Sequence, residues 1–184
     1  MAKESPQWQA LFDTAQLSAG QRLLIHAAAG GVGSFAVQFA KWKGAQVIAT
    51  ASENNHGFLR NLGVDETIDY QKKHFEEIVQ DVDVVFDTIG GETQERSWKV
   101  LNKGGILVSI FQPPSTALAA KYGVRAEFLA MQPSSLVLEE IAKLVDAGPI
   151  KTVVENVLPL VEARRAHELS QKGHIRGKLV LTVG

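Results

Sequence analysis

Eight consecutive residues, His26-Ala27-Ala28-Ala29-Gly30-Gly31-Val32-Gly33, carry the clearest chemistry in this sequence. They follow the apolar run Leu23-Leu24-Ile25 and open an amphipathic segment, Ser34 to Lys43. Strand, glycine turn and helix in that order make an anion site. The free N–H groups of the helix's first turn, with the positive end of its dipole, face a pyrophosphate. Gly30 lets the backbone approach the phosphates with no Cβ in the way, and Gly33 lets the helix lie close on the strand. Ala28 replaces the first glycine of the usual G-x-G-x-x-G, so the string reads A-x-G-x-x-G. Its flanking strand and helix give it the context of a dinucleotide site; the bland alternative is a plain helix-start turn of an α/β protein.

Which dinucleotide is read at the end of the second strand. An acidic side chain about 20 residues past the glycines holds the ribose 2′-hydroxyl of NAD. Here that place is Ala49-Thr50-Ala51-Ser52, with no acid. A carboxylate there would repel a 2′-phosphate, whereas a small hydroxyl residue such as Ser52 accepts one, so NADP is favoured. Glu53 lies just beyond and reads as a solvated residue of a first helical turn; His56 and Arg60 are either cations for the phosphate or surface charge.

No side-chain set for acid–base or nucleophilic catalysis emerges, and catalytic residues are left unassigned. There is no H-E-x-x-H, no paired-histidine spacing and no nucleophile elbow. The chain has no cysteine, which excludes disulfides, thiolate zinc, iron–sulfur ligation and a cysteine nucleophile, and no metal is expected. Of the five histidines, His26 sits beside the turn and either faces the ligand or is a packed core histidine. His174 either touches the adenine side or is a turn residue; His56, His74 and His167 read as helix surface. Asp87 reads as a cap or brace for the turn Thr88-Ile89-Gly90-Gly91.

These residues need a frame, and glycine, proline and polar clusters divide the chain regularly enough to show it. Strands are expected at Arg22–His26, Gln46–Thr50, Glu66–Asp69, Val82–Asp87, Ile106–Ile110 and Val124–Met131. Helices are expected at Gln7–Gln16, Ser34–Lys43, Asn55–Asn61, His74–Gln80, Glu92–Leu101 and from Pro133 to Ala147, with an irregular stretch opened by Pro113-Pro114. A strand near Val153 to Leu158, a helix near Val161 to Gln171 and a strand from Lys178 to Val183 follow. The apolar strands, Leu23 to Ile25 and Val82 to Phe86, are continuous rather than alternating, as when helices cover both faces of a parallel sheet. The expected fold class is therefore α/β, a Rossmann doubly wound parallel sheet of strand order 3-2-1-4-5-6, with its ligand at the carboxyl ends of the strands.

Bulk properties narrow the partners. The chain has 184 residues, enough for one well-cored domain, and a net charge of −1, which gives no field for nucleic acid or an anionic membrane. No apolar run approaches bilayer length and the first residues lack a signal peptide's apolar core, so no membrane partner and a cytoplasmic location are the expectations.

Four segments resemble the zinc-independent quinone oxidoreductases of the medium-chain dehydrogenase/reductase superfamily. They are Leu24 to Gln38 around the glycine turn, Leu62-Gly63-Val64-Asp65-Glu66-Thr67-Ile68-Asp69-Tyr70, Val84-Val85-Phe86-Asp87-Thr88-Ile89-Gly90-Gly91-Glu92, and the tail Gly173-His174-Ile175-Arg176-Gly177-Lys178-Leu179-Val180-Leu181. The resemblance implies hydride transfer from NADPH to a quinone or an activated alkene. It implies a cofactor turn of Ala29, Gly30, Gly31, Val32 and Gly33, with Tyr70 approaching the 2′-phosphate beside Ser52. It also implies that Thr88, Ile89, Ile110, Phe128, Leu129 and Ala130 line the ribose and nicotinamide. An enoyl-thioester reductase of the same superfamily and a non-catalytic NADPH-binding or sensing module are the alternatives.

The resemblance also implies a division. Residues 1–150 would be the Rossmann coenzyme-binding domain, and residues 151–184 a strand-helix-strand that normally completes a substrate domain absent from this chain. The chain is then expected to be a truncated piece, with an apolar face exposed or covered by a partner copy. Family members join two sheets through the sixth strand, so a homodimer through Val124 to Met131 is expected. With a twofold axis near Ala126, Arg125 of one copy opposes Glu127 of the other.

Overall fold

Two apolar runs fix the centre of the sheet. Leu23, Leu24 and Ile25 in β1 (Arg22–Ile25) and Val84, Val85 and Phe86 in β4 (Val82–Asp87) are buried and pair in parallel, Leu23 beside Val84 and Ile25 beside Phe86. Residues 5–130 and 134–184 are described by the computed structural model. Four further strands complete a parallel sheet: β2 (Gln46–Ala51), β3 (Glu66–Asp69), β5 (Leu101–Ser109) and β6 (Arg125–Phe128), in the order β3-β2-β1-β4-β5-β6. This is the expected doubly wound order. It reverses direction between β1 and β4, which places the crevice there.

Successive residues of each strand enter opposite layers, as the pleat requires. Leu23 and Ile25 join Val84, Phe86, Ile106 and Val108 under α2 (Gly33–Trp42) and the N-terminal segment, with Ala36, Val37, Phe39 and Ala40 supplied by the helix. Leu24 joins Ile48, Ile68, Val85 and Leu107 under Phe75, Val79 and Trp98 on the other side. Burial on both faces explains why the strands read as unbroken apolar runs.

Several elements differ from the sequence reading. The first helix divides into a single turn, α1 (Pro6–Trp8), capped by Ser5, and a π-helical turn, Gln9–Thr14. The segment at His74–Gln80 makes only a 3-10 turn, Phe75–Glu77, because Phe75 and Val79 both anchor in the core and pull it flat against the sheet. After α3 (His56–Asn61), α4 (Gly91–Ser97) ends early. The following chain enters β5 at Leu101, five residues before the apolar run, through an irregularity opposite Val82 and Val84. The stretch after Pro113-Pro114 contains a helix, α5 (Thr116–Tyr122). Ser115 Oγ accepts from the Leu118 amide at 3.3 Å at its start, and left-handed Gly123 ends it. The paired prolines hid a capped helix. α6 (Ser135–Asp146) starts after Ser134; the expected strand end at Met131 and helix start at Pro133 lie outside the described residues.

Beyond α6, β7 (Val154–Pro159) and β8 (Lys178–Thr182) form a separate parallel pair linked by α7 (Ala163–Gln171). This unit meets the first sheet at the glycine turn, where the Gly177 amide donates to the Ala29 carbonyl at 3.0 Å. Val154, Val157, Val180, Val183 and Leu160 are exposed, and Val161 is 92% exposed.

Candidate functional site

The glycine turn takes the geometry that an anion cradle needs. Ala27 is left-handed at φ +49°, the bend that turns the chain from β1 toward α2. The residue in the special conformation is thus Ala27 rather than Ala28, which is wholly buried. The Gly30 amide closes the turn on the Ala27 carbonyl (3.1 Å), and the Ser34 amide donates to the Gly30 carbonyl (2.9 Å) as α2 begins. A Cβ on Gly33 would fall 2.5 Å from the Ala27 carbonyl oxygen and from the Ala28 Cα, so only glycine lets α2 start this close to the strand. The Ala36 amide donates to the Val32 carbonyl (3.0 Å), and the positive end of the helix dipole faces the turn, which favours an anion there.

His26 anchors the floor beside this turn. It is buried; Nδ1 lies 3.0 Å from Thr50 Oγ1 and Nε2 lies 2.9 Å from Ser97 Oγ. The Ser97 hydroxyl donates to the Thr93 carbonyl at 2.7 Å, so it must accept from His26 Nε2–H, and Nδ1 accepts from the Thr50 hydroxyl. One neutral tautomer thereby joins β1, β2 and α4. Burial lowers the His26 pKa to about 4, with Arg96 adding to the effect and Asp87 and Glu76 opposing it. Asp87 braces the next turn: Oδ1 accepts from the Ile89 and Gly90 amides (2.9 and 2.8 Å), and Oδ2 accepts from Gln94 Nε2 and Ser109 Oγ (both 2.9 Å).

A cleft of about 400 Å³ opens over these elements. Of the residues singled out in the sequence, Ala29, Gly30, Ser52, Tyr70 and Ile89 line it. Gly31 faces a second recess with Lys178, while Val32 and Gly33 continue into α2. Thr88 turns its hydroxyl back to the His26 carbonyl (2.9 Å). Ile110, Phe128, Leu129 and Ala130 stand at the carboxyl ends of β5 and β6, outside this cleft's walls. Glu53 is held in an ion pair by Lys72.

His26 and His174, for which the sequence leaves a ligand contact open, line the cleft as well, whereas the other lining residues have no such signal. Asn55 and Phe75 come from the connections after β2 and β3, and Thr93 and Arg96 from α4, and nothing local marks them. Arg96 stacks over Phe75 with its guanidinium 5.3 Å from the ring centre, and its Nη1 lies 3.5 Å from Glu76 Oε2. His174, left-handed at φ +65°, and Ile175 reach the cleft from the tail segment.

Residues 62–181 match the family described as zinc-binding dehydrogenase. The chain belongs to this family. The medium-chain dehydrogenase/reductase resemblance of its sequence is therefore upheld, and solved quinone oxidoreductases share its fold. Against the quinone oxidoreductase of Coxiella burnetii the identity is 38% and the TM-score 0.89, over 97% of this chain and 57% of that one. Against the Escherichia coli quinone oxidoreductase complexed with NADPH the identity is 26% and the TM-score 0.84, over 96% and 61%. The mitochondrial NAD(P)H oxidoreductase RTN4IP1 of Danio rerio is 30% identical over 96% of this chain and 54% of its own length. The chain thus spans about half the length of the curated relatives it matches. Despite the family's description, no group of three or more His, Asp or Glu side chains is placed to hold a metal among the described residues.

Proposed function

We propose that this chain is the coenzyme-binding part of a zinc-independent oxidoreductase that takes NADPH in the cleft and passes hydride to a quinone or an activated alkene. The convergence of strand ends on one cleft carries this reading. Ala29 and Gly30 of the glycine turn, Ser52 after β2, Tyr70 after β3 and Ile89 after β4 all line it. The carboxyl ends of strands beside the switch of a doubly wound sheet are where a dinucleotide is held. Among the described residues no carboxylate lines the cleft, and Glu53 is paired with Lys72.

In this reading the pyrophosphate rests on the turn from Ala29 to Gly33, and a 2′-phosphate meets Ser52 and Tyr70. Thr88, Ile110, Phe128, Leu129 and Ala130, at the ends of β4 to β6, serve the nicotinamide half. A reduced nicotinamide supplies the hydride; the chain's own residues bind and orient it. His26 has both nitrogens engaged and is neutral, so it braces the floor rather than moving a proton. Residues 1–150 form the coenzyme unit, and the exposed valines of residues 151–184 would close onto a substrate domain. Two copies would pair through the edge strand β6.

Fluorescence titration with NADPH and NADH tests the core of this. Saturable binding of both, tighter for NADPH, is expected. Tighter NADH binding overturns the cofactor choice, and binding of neither overturns the reading.

A further inference from the structure

We infer that Arg176 is a specificity-determining residue, selecting a 2′-phosphorylated adenosine over its unphosphorylated form; this rests on the coenzyme reading above. The sequence offers His56 and Arg60 close to Ser52. The fold brings a further cation, 121 residues beyond Asn55. Arg176 Nε donates to Asn55 Oδ1 at 2.7 Å, and its Nη2 donates to the Asn54 carbonyl at 2.7 Å. Both acceptors lie in the short connection that follows β2 and carries Ser52.

The consequence passes through Asn55, which is buried and lines the cleft. Because Arg176 can only donate, it fixes the orientation of the Asn55 amide, oxygen toward the guanidinium. The Asn55 Nδ2 then points to Ser52 and donates to its Oγ at 3.1 Å. With its oxygen accepting from Asn55, the Ser52 hydroxyl keeps its own proton to give. A proton offered to a phosphate oxygen makes a charge-assisted bond, roughly twice as strong as one offered to a neutral hydroxyl.

Charge acts in the same direction. Among the described residues no carboxylate is ion-paired with the Arg176 guanidinium. Glu155 takes the Arg176 backbone amide at 3.0 Å instead, and Glu53 is paired with Lys72. Phe58 lies against the guanidinium at 5.9 Å and leaves its charge unneutralised. Arg176 therefore presents a permanent positive charge beside the ribose step, held in place by two hydrogen bonds from the fixed fork of its guanidinium, a geometry that a lysine's single ammonium does not reproduce.

The test compares NADPH with NADH, and adenosine 2′,5′-bisphosphate with 5′-AMP, on wild-type protein, Arg176→Met and Arg176→Lys. Arg176→Met should weaken the two 2′-phosphorylated ligands by about tenfold or more and the other two by less than about threefold. Arg176→Lys should fall between. Raising salt from about 20 to 500 mM should lower the NADPH-to-NADH affinity ratio of the wild type by about threefold or more, through screening, and leave that of Arg176→Met nearly flat. This wild-type measurement stands even where a variant fails to fold. An equal loss for all four ligands, or a wild-type ratio that ignores salt, overturns the inference while the coenzyme reading survives. Failure of the wild type to bind any of them defeats both.

Discussion

Lys178 lies across Gly31: a Cβ added at Gly31 would fall 2.5 Å from Lys178 Cε and 2.6 Å from its Nζ. The first residue of β8 thus delivers an ammonium group to the loop whose amides begin α2. The amides and helix dipole supply partial positive charge there, and Lys178 adds a full one. The contact depends on Gly31 lacking a side chain, so the two positions act as a pair.

Replacing Lys178 with methionine keeps the apolar stem and removes the charge. The expected result is an affinity loss of about threefold to tenfold for NADPH and NADH alike, larger at low salt, with the ratio between them unchanged. Equilibrium titration at two ionic strengths measures it. A loss confined to NADPH would move Lys178 to the ribose end and contradict its place at the turn.

His26 makes folding stability depend on pH in a defined window. Its pKa is about 4 in the folded chain against the ordinary 6.5, chiefly because it is buried. Between these values the unfolded chain holds the proton and the folded chain does not. Stability is therefore lost as pH falls from 6.5 toward 4, and this group contributes no slope above 6.5. At 1.36 kcal/mol per unit, the loss reaches about 3 kcal/mol by pH 4. Denaturant melts of wild type and His26→Gln between pH 4 and 8 should show the wild type losing more stability on acidification, by up to that amount. Parallel curves would mean that His26 is protonated in the folded state or exposed to water.

The sheet was legible because its information is local. Leu23 to Ile25 and Val82 to Phe86 announce buried strands by composition, and the turn from Ala28 to Gly33 announces what lies between β1 and α2. The prediction failed where tertiary anchoring or a cap decided the outcome. Phe75 and Val79 flatten a segment with helical composition, and Ser115 with Gly123 delimit a helix that Pro113-Pro114 concealed. The site was half legible for the same reason. Ala29, Gly30 and Ser52 sit on motif positions, whereas Asn55 gains its meaning from Arg176 and Gly31 from Lys178, contacts that only the folded tail creates. The tail segment Gly173 to Leu181 stands out in the sequence as a string of residues, but a string carries no information on which distant loop it will touch.

The proposed pairing of two copies turns on the charges of β6. This strand ends the sheet among the described residues, with Arg125, Glu127 and Phe128 exposed. Arg125 and Glu127 are two residues apart, so they share one face of the strand. In an antiparallel pairing about a twofold axis at Ala126, each Arg125 faces the other copy's Glu127, and both contacts form at once. Arg125→Glu places four carboxylates around the axis and should leave a monomer by sedimentation at low salt. The double exchange, Arg125→Glu with Glu127→Arg, restores opposite charges across the axis and should restore the dimer. A second register, shifted by two residues, breaks these pairs and would make the double exchange no better than the single one. A wild type that sediments as a monomer at micromolar concentration would remove the pairing altogether, with the edge charges then serving to keep β6 from adding further strands.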